Sequence, residues 1–153
     1  ALKYARNIGA KTISLSCNKN AIISKYSHVS IEAVVGAEVI TGSTRMKSGT
    51  AQKMILNMLT TGAMIKLGKT YKNYMIDVQA TNEKLKIRSV NILKKITGIS
   101  EVEAKSILEE TNWNVKLSLV MIKGKINKEE AKKALEKCNG IVSKALQELE
   151  ARK

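Results

Sequence analysis

Phenylalanine and proline are missing from the 153 residues altogether, and aspartate and histidine occur once each, as Asp77 and His28. A single aspartate leaves no Asp-based metal cluster or carboxylate dyad, and no metal ligand set is expected. A single histidine at the start of a β-rich segment reads as a structural surface residue rather than a general base. The two cysteines, Cys17 and Cys138, lie far apart in sequence. They are too few for a zinc site and give no motive for a disulfide, so each reads as a small buried hydrophobe. No apolar run approaches the roughly 20 residues of a membrane span, and no apolar core of a signal peptide is present. A cytoplasmic location is expected, with no membrane partner. Neither Gly-x-Gly-x-x-Gly nor a Walker loop occurs, which removes the usual nucleotide fingerprints.

What is plentiful is lysine. The formal charge is +14, yet only Arg6, Arg45, Arg88 and Arg152 are arginines, and the cations are spread along the chain. Bidentate reading of phosphates and bases favours arginine. Nucleic acid is therefore a weaker expectation than an anionic small molecule. A hydrophobic content of 44% allows one moderate core, or a partial domain joined to a small helical one.

Residues 1–10 carry Leu2, Ala5 and Ile8 at helical spacing and Gly9 as a stop. Lys11–Cys17 alternates and is β-rich, so it reads as a strand; Asn18–Asn20 is a turn, Ala21–Tyr26 a short helical piece, and His28–Val35 a second strand. Helix, strand, helix, strand is the pattern of an α/β parallel sheet. Two strands are too few to bury such a sheet, and the segment lacks an initiator methionine, so this chain is expected to be the C-terminal part of a longer protein that supplies earlier strands. A long helix follows, with Ala51, Met54, Ile55, Met58, Leu59, Gly62 and Ile65 at three- and four-residue spacing and Gly68 closing it. Residues 69–80 show neither period and read as an extended connector. From Thr81 the pattern is helical throughout, with a break at Thr97-Gly98 and a capping box at Ser100-Glu-Val-Glu103. Glu103-Ala-Lys105, Leu108, Asn112, Val115 and Leu119 recur as Glu130-Ala-Lys132, Leu135, Asn139, Val142 and Leu146, an offset of 27 (130 − 103). Two helix-turn-helix units are expected to form a bundle over 81–153, following a domain portion over 1–80. Their second helices are too apolar and too poor in Arg, Asn and Gln to read DNA.

One locus has the ingredients of a site. Gly36 ends the second strand, and Glu38 and Thr41-Gly42-Ser43-Thr44 follow at the carboxyl end of the sheet, just before the long helix. Ligands of open α/β sheets bind there, and a helix N-terminus with nearby hydroxyls suits phosphate or sugar oxygens. Glu38 can accept a sugar hydroxyl or move a proton. The alternative is that Ser43 and Thr44 merely cap the helix and Glu38 is solvated. The residues alone leave both readings open.

The run Val35-Gly-Ala-Glu38-Val-Ile-Thr-Gly-Ser-Thr-Arg-Met-Lys-Ser-Gly-Thr-Ala-Gln-Lys53, with Leu56-Asn-Met58, Gly68-Lys-Thr-Tyr-x-Asn73 and Met75-Ile-Asp-Val78 after it, closely resembles the N-acetylmuramic acid 6-phosphate etherases. These belong to the sugar isomerase (SIS) superfamily and are similar to the glucokinase regulatory protein. The resemblance implies a cofactor-independent lyase of peptidoglycan recycling that opens the sugar ring, removes the C2 proton, expels D-lactate from C3 and adds water. It implies a sugar-phosphate substrate and a homodimer. It further implies that the catalytic glutamates lie outside this chain, which is then inactive alone, and that Glu38, Ser43, Thr44 and, less directly, Lys47 face the substrate. Ala37, Ser48 and Lys72 replace the family's usual proline, alanine and glycine. The fold implied is the end of a SIS-type parallel-sheet sandwich followed by a small all-α bundle similar to ubiquitin-associated domains. A non-enzymatic sugar-phosphate-binding regulator of the same superfamily is the rival reading.

Overall fold

A computed structural model describes residues 1–151. The chain is mixed α/β, mostly helical with two small sheets, in the order α1 (Leu2–Asn7), β1 (Ile13–Ser16), a 3-10 helix (Ile22–Tyr26), β2 (Val29–Glu32), α2 (Lys47–Lys66), β3 (Thr70–Tyr71), β4 (Tyr74–Met75), α3 (Glu83–Thr97), α4 (Glu101–Glu110), α5 (Val115–Gly124), α6 (Lys128–Lys137) and α7 (Val142–Glu150). It divides into two units, Ala1–Gly62 and a second beginning at Ala63. The division falls inside α2, whereas the sequence pattern changes at 80/81, where the β3–β4 hairpin has ended and α3 has yet to begin.

In the first unit β1 and β2 pair in parallel, Ile13 opposite Val29 and Leu15 opposite Ile31. The expected strands are present but shorter at both ends, and the short helix over 21–26 is of the tighter 3-10 kind. Alternation places Ser14 and Ser16 on one face and Ile13, Leu15, Val29 and Ile31 on the other. The hydroxylated face is the covered one: Thr12, Ser14, Ser16 and Ser48 are the buried residues of this unit among those described, while Ile13 and Val29 are 51% and 54% exposed. Ser14 Oγ and Ser27 Oγ are 2.9 Å apart, and Ser16 Oγ accepts from Asn18 N at 3.0 Å, so these buried groups are partnered.

The second unit holds the core. Among the described residues, all buried hydrophobic side chains lie between Ile76 and Leu146, with Leu93, Ala104, Leu108, Leu119, Val120, Ala131 and Ala145 fully enclosed. Residues 69–80 correct the sequence expectation. They are not a plain connector but contain an antiparallel hairpin, Thr70 opposite Met75 and Tyr71 opposite Tyr74, turned at Lys72 with φ +52°. Strands of two residues are too short to show a period.

The helical repeat has a matching backbone. Trp113 N donates to Leu108 O at 2.6 Å and Gly140 N to Leu135 O at 2.7 Å, while Asn112 N and Asn139 N reach Glu109 O and Glu136 O at 3.2 and 3.1 Å. Asn112, Trp113, Asn139 and Gly140 all have positive φ, 53°, 61°, 52° and 72°. A left-handed pair closes the first helix of each unit. Glycine suits that conformation and tryptophan does not, and the Trp113 ring carries Lys86 Nζ at 5.1 Å from its centroid. The capping box expected at Ser100 is half formed, since Ser100 Oγ accepts from Glu103 N at 3.2 Å with no return bond among the described residues. The complete box lies at Asn127 and Glu130, with bonds of 2.9 and 3.2 Å.

Cys138 is buried and Cys17 half-buried, both as free thiols. Cys138 thus matches the expectation, and Cys17 instead aims its thiol at Ser48 O, 3.7 Å away. No helix among the described residues is long and apolar enough to cross a membrane.

Candidate functional site

β2 leads into the loop 33–46, anchored at its start by Ala33 N donating to Ser16 O at 2.8 Å. Gly36 and Gly42 take φ of +74° and +80°, turns that a side chain would strain. Ser43 N closes a turn onto Ile40 O at 3.0 Å. The loop crosses from the carboxyl end of the strand to the start of α2, as its sequence position requires.

The four residues singled out there split into two pairs. Glu38 reaches the first turn of α2, where Oε2 accepts from Lys47 N at 3.1 Å and Oε1 from Ser48 N at 3.0 Å. Lys47 Nζ turns back to donate to Ala37 O at 2.7 Å. Ser43 is half-buried and Thr44 exposed, and neither hydroxyl has a hydrogen-bond partner among the described residues. Neither of them caps α2, so the plain-cap alternative fails for these hydroxyls. The cap is Glu38, which binds donors nine and ten residues downstream, a tie that no local sequence motif announces.

This geometry has an electrostatic consequence. Backbone N–H groups of Ser48 and then Lys47 hold the Glu38 carboxyl below its ordinary value, as expected for an anion at a helix N-terminus. The carboxylate is ionised at neutral pH and keeps lone pairs for further donors. It already occupies the two N–H groups that would otherwise receive a phosphate. The site therefore presents an acceptor with two free hydroxyls nearby in sequence rather than an empty anion hole.

Elsewhere in the unit, polar groups are structural. Glu32 accepts from Asn20 N at 2.8 Å, Ala21 N at 3.1 Å and Ser24 Oγ at 2.7 Å, and the Ser24 hydroxyl, with those backbone bonds, holds it below its ordinary value. His28 Nδ1 lies 3.2 Å from Thr12 N. A backbone N–H can only donate, so this ring nitrogen is an acceptor, and the ring joins the strands instead of standing free as a base. In the second unit Asp77 pairs with Lys69 and lies 3.3 Å from Lys116, and those cations, Lys69 first, lower its carboxyl. No group of three or more metal-ligating side chains occurs among the described residues.

Fold and loop together define a mixed α/β chain with a carboxylate-capped helix after a parallel strand pair and a helical bundle beyond it. A family model described as the C-terminal lid domain of glucokinase regulatory protein matches residues 72–117. The chain is also related, over nearly its whole length, to N-acetylmuramic acid 6-phosphate etherases. The relative from Clostridium beijerinckii is 53% identical over 149 residues, 97% of this chain and 49% of the relative. That from Clostridium botulinum strain Loch Maree is 53% identical over 97% and 49%, and that from Oenococcus oeni 52% identical over 96% and 50%. The chain thus spans about half the length of the curated relatives it matches, and the resemblance read from its residues holds across that half.

Proposed function

We propose that this chain is the C-terminal part of an N-acetylmuramic acid 6-phosphate etherase, a lyase converting that substrate to N-acetylglucosamine 6-phosphate and D-lactate by elimination and hydration. The observation that carries this reading is the identity of about 53% maintained over 97% of the chain to proteins of that name. Residues 1–80 are then the end of a SIS-type domain, and 81–153 a helical domain of the ubiquitin-associated shape. A homodimer in the cytoplasm is the form the resemblance implies for the complete protein. The regulatory alternative is not favoured, since the match to the glucokinase regulatory protein domain is confined to 72–117.

Glu38, Ser43, Thr44 and Lys47 form one wall of the sugar site in this reading. Glu38 serves there as a hydrogen-bond acceptor. A carboxylate whose pKa is lowered is a poor base at neutral pH, and its charge at the start of α2 repels a phosphate placed on the same N–H groups. The proton at C2 and the lactyl leaving group fall to carboxylates outside this chain. Ser43 and Thr44 donate to sugar or phosphate oxygens, and Lys47 stays with Ala37.

The complete protein, given N-acetylmuramic acid 6-phosphate, should release D-lactate. If none forms anywhere between about pH 6 and 9, while the sugar phosphate binds, the regulatory reading replaces this one. Ser43→Ala with Thr44→Ala should weaken substrate binding by roughly 1 kcal/mol for each lost contact. Unchanged KM and kcat would remove both hydroxyls from the site.

A further inference from the structure

The turn between α5 and α6 carries a residue that the helical repeat sets apart. Shifted by the 27 residues (125 − 98) that relate the two units of the repeat, Lys125 falls on Gly98. Both close a helix in the left-handed region, with φ +54° and +80°, and both donate their N–H to the carbonyl four residues back, Met121 and Lys94. Glycine takes that conformation freely, whereas a side chain there costs stability. The lysine is held against local preference at a position where the same chain elsewhere uses glycine.

Lys125 lines a cavity of about 450 Å³ within the second unit, together with Lys123 from the end of α5 and with Ser143 and Gln147 from successive turns of α7. The volume falls in the roughly 300–1,000 Å³ range of small-molecule sites. Neither ammonium has an ion-pair partner among the described residues, and the side chains of Ser143 and Gln147 make no hydrogen bond among them. Buried Leu146, half-buried Ile122 and the Tyr71 ring supply the apolar part of the lining, and Glu150 is the one carboxylate in it.

We propose that this cavity binds a small phosphorylated sugar. Lys123 and Lys125 receive the phosphate as two point charges. Ser143 and Gln147 donate to or accept from the sugar hydroxyls, and Glu150 accepts from one. The Tyr71 ring and Leu146 meet the C–H face of the sugar. The +14 net charge raises the local concentration of such an anion. None of the lining residues belongs to the Glu38 loop, and the proposal stands whether or not the complete protein is an etherase.

The test is to titrate glucose 6-phosphate into the 153-residue chain and follow its amide resonances. Saturating shifts are expected at residues 123–126 and 142–147, with a Kd below about 1 mM and with inorganic phosphate and glucose each at least about tenfold weaker. Lys125→Gly removes the ammonium and relieves the backbone, so binding should weaken at least about tenfold while Tm stays level or rises. Lys123→Gln with Ser143→Ala should weaken binding to a similar degree, and Lys132→Gln on α6, outside the cavity, should leave Kd unchanged. The proposal is overturned if these amides do not shift at about 10 mM ligand, if phosphate alone binds as tightly as the sugar phosphate, or if folded Lys125→Gly keeps the wild-type Kd. Should Lys125→Gly fail to fold, Lys125→Gln is read by the same Kd criterion.

Discussion

Residues 1–62 cover hydroxyls and expose aliphatic side chains, while the unit beginning at Ala63 covers aliphatic side chains and surrounds them with lysine and glutamate. Thr12, Ser14, Ser16 and Ser48 are buried in the first, and Leu93, Leu108, Leu119 and Val142 in the second. Burial of apolar surface is the main favourable term in folding, so only the second unit has a core of its own. The first is organised by hydrogen bonds, such as the three onto Glu32 and the two onto Glu38, which are each worth little net. The contrast predicts that the second unit is held by burial and the first, among the described residues, mainly by hydrogen bonds.

The largest test of that contrast is a pair of truncations. Leu119→Ala should destabilise the second unit by about 3 kcal/mol, read as a fall in Tm, while Leu56→Ala in the first should change it by less than about 0.5 kcal/mol. Equal losses would erase the distinction. Gly68→Ala comes next. Gly68 has φ +67°, and a Cβ there would lie 2.7 Å from Ile141 Cγ1 and 3.1 Å from Ile141 Cα. A loss of about 2 kcal/mol is expected from strain and contact together.

Acid sharpens the comparison further. Glu38 and Asp77 both have folded-state pKa values lowered from the ordinary 4.5 and 3.8. Each contributes stability above the unfolded value that is lost as pH falls through the lower folded value. Titration below about pH 5 should therefore fray the start of α2 in the first unit, visible in the Lys47 and Ser48 amide resonances. Glu38→Gln should show that fraying already at neutral pH. Asp77→Asn should lower Tm near pH 7 and make no difference once the wild-type carboxyl is protonated. The smallest effect is that of Ser43→Ala with Thr44→Ala on stability: no change in Tm, because neither hydroxyl holds anything in the described structure.

Much of this was legible in the residues. Hydrophobic spacing places α2 and the bundle helices, and the 27-residue echo, seen as 130 − 103, anticipates turns at Asn112 and Asn139 that share their backbone bonds. The hairpin at 70–75 escaped because two-residue strands carry no period. Asn127-x-x-Glu130 and Ser100-x-x-Glu103 have the same spacing in sequence, and only the first completes its capping box, since Glu103 lacks the return bond among the described residues. At the candidate site, position along the chain identified Glu38 and the loop. The role of Glu38 as the cap of α2 was hidden, because that bond spans nine residues of irregular chain and depends on how the loop folds back. Trp113 is the remaining local mismatch, a large side chain in the left-handed position that Gly140 fills in the second repeat.

Residue-resolved hydrogen exchange on the 153-residue chain tests the central contrast most directly. The account predicts that amides of α3 to α7 exchange only through global unfolding of their bundle, and that those of β1, β2 and the Lys47–Gly62 part of α2 exchange far faster. Protection of the Ile13–Ser16 and Met54–Leu59 amides equal to that of Leu119 would contradict it.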